Sequence, residues 1–293
     1  GATDYDYEWT DVLMRKVGSM MHAVSLHYYT VSGWVGAKKP ATGFSDDDYY
    51  WCLGKCLGIE PVIQKHLAIM SESDPRHRIP LFVDEWGTWW EPEPGTQLYQ
   101  QNTMRDAMVA SLSLDVFHKY CDRIQMCNIA QVANVLQSMI LTKEDKMVLT
   151  PTYWLFYMYK PHMEATYIPV DLQDIDVKLT PNERYAANPD EGATRPLPLF
   201  SSTASKDASG KLHLSMSNVK LDEAESVTVN LEGFRANKVT GKILTSDKAT
   251  DHNTFENPDK IKLTDFNGAK IDRRSGAITL EIPAASIVTL EIE

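Results

Sequence analysis

Two adjacent carboxylates, at positions 84 and 85, are the residues of this sequence best placed to do chemistry. Residues 79–83 come directly before them and hold large apolar side chains, with Pro80 near the start. A short apolar run of this kind predicts a buried parallel strand, and proline is tolerated at a strand's first position. Glu85 is therefore expected at the carboxyl end of a strand.

Three tryptophans accompany this carboxylate in the sequence, namely Trp86, Trp89 and Trp90. Their flat apolar faces are of the kind that stack against sugar rings, and Gly87 allows the backbone to turn between them. A carboxylate at a strand end beside an aromatic wall predicts a glycosidase site. The alternative is that Asp84 and Glu85 only begin a solvated loop while the tryptophans fill the core.

A retaining glycosidase needs two carboxyl groups about 5 to 5.5 Å apart, one as nucleophile and one as acid and base. Glu91 and Glu93 are close to Glu85 in the sequence, but they lie between prolines, which favours a solvated loop. No phosphate-binding glycine loop, nucleophilic serine turn or zinc-protease helix occurs. The sequence thus offers Glu85 as one candidate carboxylate and no clear partner for it.

Composition and charge argue against several other functions. The chain has 293 residues, of which 43% are hydrophobic, enough for a sizeable core. Its 29 Lys and Arg against 40 Asp and Glu give a net charge of −11. We therefore expect neither nucleic acid nor a membrane as partner, whereas a neutral glycan fits. No apolar run reaches the roughly 18 residues of a membrane helix.

The four cysteines are interpreted as buried free thiols: Cys52, Cys56, Cys121 and Cys127. Cys52 and Cys56 are four residues apart on a predicted helix, which is a poor spacing for a disulfide. No histidine or second cysteine pair completes a zinc pattern, so we expect no metal and no cofactor. Free thiols are compatible with a reducing compartment.

Residues 1–165 alternate predicted helices and strands. An amphipathic helix opens the chain, and strands are predicted at 22–30, 79–83 and 123–130, the last continuing to 134. Helices are predicted at 45–71, 98–120 and 152–163. This order is typical of a parallel βα series.

Residues 166–293 have a different pattern. Apolar and polar side chains alternate with a period of two, most clearly over 212–217, 227–231 and 278–282. Such alternation predicts antiparallel strands with one face in the core and one in solvent, and Gly-, Asn- and Asp-rich turns separate the segments. We expect an antiparallel, jelly-roll-like β-sandwich domain here.

Three parallel strands are too few to close a barrel. A (β/α)8 barrel needs eight βα units and typically about 250 residues, yet the predicted sandwich begins at residue 166. We therefore predict that this chain is the C-terminal part of a larger enzyme. The N-terminal part of the same enzyme is expected as a separate chain.

Three motifs give the chain a resemblance to glycoside hydrolase family 51, the α-L-arabinofuranosidases. They are Val-Asp-Glu-Trp-Gly-Thr-Trp at 83–89, Ser-Leu-His-Tyr-Tyr at 25–29 and Asn-Ile-Ala-Gln-Val-Ala-Asn-Val at 128–135. Each motif alone is moderately specific, whereas the three in this order are distinctive. The similarity extends over nearly the whole chain and includes 255–258 and 283–287.

The resemblance implies that residues 1–165 are the C-terminal portion of a (β/α)8 TIM barrel, strands six to eight. It also implies roles for individual residues. Glu85 resembles the nucleophile at the end of barrel strand seven. His27 and Tyr29, at the end of strand six, resemble the pair that touches the nucleophile and the sugar. The family's acid/base follows an Asn at the end of strand four, and no Asn-Glu pair precedes Glu85 in this sequence. The acid/base is therefore expected outside this chain.

The resemblance also implies a substrate pocket. Gln131, at strand eight, resembles a hydrogen-bond donor to arabinose, and Trp89 resembles the aromatic wall near the leaving group. Asn134 is a further candidate for substrate binding.

The function that the resemblance implies is hydrolysis of terminal α-L-arabinofuranosyl residues from arabinose-containing polysaccharides or oligosaccharides, with retention of configuration. A homo-oligomer, a hexamer in the family, and a cytoplasmic location are favoured. Two alternatives stay open. One is a related barrel glycosidase, such as an endoglucanase or β-xylosidase, and the other is a catalytically inert carbohydrate-binding fragment.

Overall fold

The structure, a computed structural model, describes residues 2–32, 38–173, 176–177 and 197–293. Strands and helices alternate in the first half of the chain. These elements are β1 (Ala2–Thr3), α1 (Tyr7–Val17), β2 (Val24–Val31), α2 (Asp46–Leu57), α3 (Ile59–Ser73), β3 (Leu81–Trp89), α4 (Met104–Lys119), β4 (Ile124–Ile129), β5 (Ile140–Lys143), β6 (Lys146–Leu149) and α5 (Pro151–Tyr159).

A four-stranded parallel sheet in the order β1-β2-β3-β4 organises this half. The pairs β2–β3 and β3–β4 are both parallel, as the predicted βα series requires. β1 also pairs in parallel with β2, so the described chain opens on a strand and not on the predicted helix. Two residues carry no periodicity from which such a strand could be predicted. β1 and β4 form the two edges, and the sheet is open.

Local signals explain where the helices begin. Ser45 and Asp48 form the capping box of α2. The single helix predicted from 45 to 71 is instead two helices that meet at Gly58, and Pro61 lies in the first turn of α3, where its missing N–H removes no helical hydrogen bond.

Two other predicted boundaries also differ. α4 begins at Met104 rather than at residue 98, because Thr103 and Asp106 form a capping box that fixes its start. β4 ends at Ile129, whereas the sequence predicted a strand continuing to 134. The segment that follows leads into an antiparallel hairpin of β5 and β6 in place of the predicted loop.

Antiparallel strands make up the second half. These are β7 (Thr166–Ile168), β8 (Asp176–Val177), β9 (Leu197–Pro198), β10 (Phe200–Lys206), β11 (Leu212–Asn218), β12 (Glu225–Val229), β13 (Val239–Leu244), β14 (Thr264–Asp265), β15 (Ala269–Ile271), β16 (Ile278–Ile282) and β17 (Ser286–Ile292). A six-stranded sheet has the order β14-β13-β17-β11-β10-β7, and a three-stranded sheet has the order β12-β16-β15. Apolar side chains from both sheets, among them Leu214, Leu280 and Val288, share one core.

The other face of the six-stranded sheet packs against helices. His213, Ser215 and Ser217 were predicted to face solvent, and they are buried. The reason is that α4, α5 and the turn after α5 cover this face. We call the contact the polar joint. It consists of Ser111, Asp115, His118, Tyr159 and His162 on the helical side and Ser201, Thr203, Ser205, Ser215 and Ser217 on the strands.

Hydrogen bonds hold the polar joint together. The His162 ring lies 2.8 Å from Ser205 Oγ through Nδ1 and 2.7 Å from Ser215 Oγ through Nε2. Ser201 Oγ donates to Asp115 Oδ2 at 2.6 Å, and Tyr159 OH donates to Asp115 Oδ1 at 2.9 Å. Buried polar side chains are thus paired across the contact, as burial of polar groups requires.

The cysteines are all free thiols. Cys52 and Cys56 are buried and Cys127 is half-buried, but Cys121 is exposed, so the expectation of four buried thiols is wrong at that position. In the part of the chain that the structure describes, no helix is both long enough and apolar enough to cross a membrane.

Candidate active site

The neighbouring strands β2 and β3 bring together three residues of the sequence motifs. Glu85 was expected at the carboxyl end of a strand, but β3 continues to Trp89, so Glu85 lies near the middle of that strand. Parallel pairing sets His27 opposite Glu85 and Tyr29 opposite Gly87. Because side chains two apart on a strand share a face, His27 and Tyr29 both project beside the Glu85 carboxylate.

An irregularity in β3 exposes two consecutive acids. The pairing of β3 with β4 shifts register between Val83 and Trp86. Such irregularities re-aim side chains that strict alternation would send to opposite faces. Asp84 and Glu85 are consequently both partly exposed, whereas Val83 and Trp86 are buried.

Glu85 has a polar neighbour at each of its carboxylate oxygens. Tyr29 OH donates a hydrogen bond to Glu85 Oε1, and His27 Nδ1 lies 3.2 Å from Oε2. The Glu85 side chain nevertheless remains 38% exposed. The carboxylate is held in one orientation and can still be reached by a ligand.

His27 lies between two acids. Its Nε2 is 3.3 Å from Asp84 Oδ1, while Nδ1 faces Glu85. Ser25 Oγ donates to the same Asp84 oxygen at 2.7 Å. The ring therefore lies between two carboxylates, and Ser25 holds the Asp84 side chain in place.

Tyr29 keeps its proton. Burial, together with the hydrogen bond to Glu85 and the negative charge there, raises the pKa of the Tyr29 phenol well above its ordinary value. The phenol thus remains a hydrogen-bond donor to Glu85 at neutral and moderately alkaline pH.

Among the three neighbouring tryptophans, Trp89 has a partly exposed ring. Its centroid lies 5.2 Å from that of Tyr29 in an edge-to-face arrangement. Lys38 Nζ lies 4.9 Å from the centroid of the same indole. Trp89 therefore forms a wall beside the Tyr29–Glu85 pair.

Trp86 and Trp90 do not contribute to that wall, because each is only 1% exposed. Trp86 packs edge-to-face against Phe117. Trp90 is covered by the guanidinium of Arg105, whose Cζ is 3.9 Å from the indole centroid. The expectation that all three tryptophans offer faces to a sugar is wrong for these two.

The two candidates after β4 differ in what their side chains do. Gln131 is exposed just beyond the cis peptide bond Ala130–Gln131, and the described residues give its side chain no hydrogen bond. Asn134 Nδ2 donates to Thr142 Oγ1 at 2.6 Å, and its Oδ1 accepts from Thr142 N at 2.7 Å. The Asn134 amide thus joins the segment after β4 to β5, and the Gln131 amide is available to a ligand.

The sequence analysis missed a buried polar layer behind the site. Asp106 accepts hydrogen bonds from Thr88 Oγ1 at 2.5 Å and Trp90 Nε1 at 2.8 Å. Gln100 and Gln137 each accept a backbone N–H near the end of β3. The Thr103–Asp106 capping pattern could have indicated Asp106, but no local pattern marks the two glutamines.

The alternative carboxylates are occupied elsewhere or exposed. Glu91 is exposed, and Glu93 accepts a hydrogen bond from Gln101. Within the described ranges, no group of three or more His, Cys, Asp and Glu side chains is arranged to hold a metal ion. The described site therefore offers one carboxylate that accepts a hydrogen bond from a phenol and lies beside an imidazole.

Comparisons with known proteins show which family the chain resembles. A family model described as the α-L-arabinofuranosidase C-terminal domain matches residues 84–286. An intracellular exo-α-L-arabinofuranosidase of Bacteroides ovatus is 54% identical over 296 residues, which cover 100% of this chain and 55% of that protein. A probable α-L-arabinofuranosidase C of Aspergillus niger is 31% identical over 33% of this chain and 19% of that protein.

A solved structure extends the likeness to three dimensions. The crystal structure of the family 51 arabinofuranosidase from Xanthomonas axonopodis pv. citri superimposes with a TM-score of 0.92 and 38% identity, over 100% of this chain and 57% of that one. The matched proteins are thus glycosidases that act on arabinofuranosides by name. The chain belongs to glycoside hydrolase family 51, the α-L-arabinofuranosidases. It spans about half the length of the Bacteroides relative.

Proposed function

We propose that this chain supplies the nucleophile and part of the sugar pocket of a retaining exo-α-L-arabinofuranosidase. The observation that carries the proposal is the partly exposed Glu85 carboxylate on a parallel strand, which accepts a hydrogen bond from Tyr29 and lies 3.2 Å from His27 Nδ1. The Bacteroides relative is named an exo-α-L-arabinofuranosidase, which supports the same activity here.

In this proposal Glu85 attacks the anomeric carbon of a terminal arabinofuranosyl residue. The second carboxyl protonates the leaving oxygen, so that a glycosyl ester forms on Glu85 and the leaving group departs as an alcohol. The same second carboxyl then removes a proton from water, which attacks the anomeric carbon and frees Glu85. Two displacements restore the original configuration.

The chain's other candidate residues orient these partners. Tyr29 and His27 hold the Glu85 oxygens, so that attack needs little reorganisation. Gln131 donates to a sugar hydroxyl, and Trp89 lines the side from which the leaving group departs. Asn134 acts indirectly, because its amide is bonded to Thr142 and holds the segment that carries Gln131.

The acid/base comes from the portion that the longer relatives have in addition. We propose that β2, β3 and β4 are strands six, seven and eight of a (β/α)8 barrel, within residues 1–165, and that β1 belongs to strand five. Residues 166–293 form the accompanying β-sandwich. The open sheet and the matched length of 55% of the Bacteroides relative support this arrangement. We call the chain together with that portion the complete enzyme.

The nucleophile is tested by trapping. The complete enzyme is incubated with a 2-deoxy-2-fluoro-arabinofuranoside that carries a good leaving group, and peptides are analysed by mass spectrometry. We expect one fluorosugar on the peptide that contains Glu85. A label on any other carboxylate would refute the assignment.

A matched pair of variants supports the trapping experiment. We expect Glu85→Gln to lower kcat by at least about 10⁴-fold, in the range seen for nucleophile removal in other hydrolases. Glu91→Gln, on the neighbouring exposed loop, is expected to change kcat by less than about twofold. Full activity of Glu85→Gln would contradict the proposal.

The need for a second portion is tested with a nitrophenyl arabinofuranoside. We expect turnover by the complete enzyme and none by this chain alone. Aryl glucosides and xylosides in the same assay separate an arabinofuranosidase from an endoglucanase-like or β-xylosidase activity. Turnover by the isolated chain would show that the acid/base lies within it.

Substrate, location and assembly follow the same reasoning. We propose arabinose-containing polysaccharides or oligosaccharides as substrates and, because the Bacteroides relative is named intracellular, an intracellular site of action. We also propose a homo-oligomer, and light scattering of the complete enzyme after size-exclusion chromatography measures its mass.

A further inference from the structure

The end of β3 loses its strand partner on one edge. On one side β2 stays paired with β3 as far as Val31 opposite Trp89. On the other side the last pair between β3 and β4 is Trp86 with Ile129. The N–H groups of Thr88 and Trp90 therefore extend beyond the region where β4 could bind them.

Two buried glutamine side chains take the place of the missing strand. Gln137 Oε1 accepts from Thr88 N at 2.8 Å, and Gln100 Oε1 accepts from Trp90 N at 2.8 Å. Gln100 Nε2 also lies 3.4 Å from Thr88 O. The two accepted N–H groups are two residues apart, which is the spacing of a strand ladder. Gln137 and Gln100 are 0% and 1% exposed.

Gln137 is itself anchored to other elements. Its Nε2 donates to Asp106 O on α4 at 2.6 Å and to Thr152 Oγ1 on α5 at 3.2 Å. It also lies flat against Gly87, where an added Cβ would be 3.2 Å from both Cβ and Oε1 of Gln137. Gly87 has φ +138°, so a side chain there would be strained as well as crowded.

Trp89 is the residue between these two anchored positions. Its neighbours Thr88 and Trp90 are fixed by backbone bonds to the glutamines and by side-chain bonds to Asp106. The partly exposed indole beside Tyr29 consequently has little freedom to move with its backbone. The direction of this wall depends on the two buried amides, which do not themselves reach the site.

We propose that Gln100 and Gln137 are positioning residues for Trp89, and that through Trp89 they set how strongly the enzyme favours a glycan over a small aryl leaving group. This inference rests on the proposed function, in which Trp89 lines the leaving-group side. A glycan leaving group covers the indole, whereas a nitrophenyl group makes less contact. Loss of either amide therefore affects the two substrate classes unequally.

The test uses Gln137→Met in the complete enzyme, since Met has a similar volume and no strong acceptor for Thr88 N–H. Kinetics are measured with an arabino-oligosaccharide and a nitrophenyl arabinofuranoside. We expect KM for the oligosaccharide to rise about tenfold, because a displaced Trp89 indole no longer orients the glycan leaving group. For the aryl substrate we expect kcat within about twofold of the parent. Equal losses for both substrates would overturn the inference.

A double-mutant cycle with Trp89→Ala separates positioning from general damage. If Gln137 acts through Trp89, Gln137→Met changes the ratio of kcat/KM values by less than about twofold once the indole is gone, since the two effects are not additive. Additive effects would overturn the inference.

Two further variants make the outcome decisive. Asn218→Leu removes a buried amide in β11 that donates to Ile282 O at 3.1 Å, and it should leave the substrate ratio unchanged. Gln100→Met decides the matter if Gln137→Met does not fold, because it breaks a different bond to the same strand. If Glu85→Gln keeps its activity, the proposed function fails. If the Glu85 result holds and the ratio stays constant in the glutamine variants, only the present inference fails.

Discussion

At the scale of single residues, the Tyr29 phenol is the donor that fixes the Glu85 carboxylate. It donates to Oε1 and keeps its proton because its pKa is raised by burial and by the neighbouring charge. A carboxylate whose one oxygen is engaged presents the other in a defined direction. The phenol therefore acts on geometry before any chemical step.

We expect Tyr29→Phe in the complete enzyme to lower kcat/KM for a nitrophenyl arabinofuranoside by about 10² to 10³-fold, the range for removing one preorganised donor. The aromatic ring and its contact with Trp89 are retained, so the loss reports on the hydroxyl. Tyr153→Phe on α5 is the control and should have no effect. A loss in Tyr29→Phe of less than threefold would show that His27 alone can orient Glu85.

Sequence reasoning reached this residue level where a motif and a predicted strand coincide. Glu85, His27 and Tyr29 each belong to a motif on a strand that the apolar pattern predicts, and the structure brings these side chains together. Gln100 and Gln137 could not be predicted, because they bind β3 from positions 10 and 49 residues away from their backbone partners. No periodic pattern in the sequence marks these two glutamines. Only the folded structure shows which backbone N–H groups their side chains bind in place of a neighbouring strand.

At the scale of elements, the polar joint connects α4 and the turn after α5 to the strands. Three of its side chains have pKa values that are shifted from their ordinary values. Burial lowers the pKa of His118 to about 4, and burial with two neighbouring histidines lowers that of His162 to about 3. Burial raises the pKa of Asp115 to about 7, although two hydroxyls donate to it.

These shifts have opposite effects on stability. Between pH 4 and 6.5 the unfolded chain binds protons on both histidines that the folded chain rejects, so acidification favours unfolding. Over the same range folded Asp115 holds a proton that the unfolded carboxyl releases, which opposes that trend. Near pH 5, where two protons stand against one, these three groups together lower the free energy of unfolding by about 1.4 kcal/mol for each unit of acidification. The slope is smaller toward pH 6.5, where the unfolded histidines are only half protonated.

Urea unfolding of single variants across pH 4 to 6.5 tests this balance. We expect Asp115→Asn to make the fall about twice as steep and His162→Gln to flatten it, since each removes one of the opposing contributions. Differences from the parent isolate these groups from every other titration. His22→Gln, on an exposed position, should reproduce the parent curve. Parallel curves for all four proteins would contradict the assignment.

The elements themselves divide by how local their signals are. The capping sequence Ser45–Asp48 predicts the start of α2, and apolar runs predict β2, β3 and β4. The hidden face of β11 was predicted as exposed because alternation shows that two faces differ, not what covers each. The alternation alone predicts that His213 and Ser215 face solvent. In the structure they are buried, because α4 and the turn after α5 cover them.

At the scale of the whole molecule, the parallel sheet is open, with β1 and β4 as its edge strands. β4 is an edge strand, and its Met126 is 42% exposed. A barrel completed by the remaining portion would cover both the edge and this side chain. In the proposed barrel, the exposed methionine marks the surface where the two portions meet.

We expect Met126→Glu to lower the melting temperature of the complete enzyme by at least about 4 °C, because a charge would be buried at the junction. The isolated chain, where the side chain is already in solvent, should be unaffected. Met147→Glu on β6, where the methionine is 60% exposed, serves as the control in both samples. Equal shifts for the two variants in the complete enzyme would argue against β4 as the junction.

The polar joint also bears on how members of this family can be recombined. The two sides of an apolar interface can shift relative to each other at little cost, whereas paired hydroxyl, imidazole and carboxyl groups match in one alignment only. If the antiparallel half of a related protein were grafted onto this chain, hydrogen-bond donors on one side of the contact would lack acceptors on the other. Chimeras should therefore exchange the outer surface of α4 and the turn after α5 along with β10 and β11, as one inherited unit.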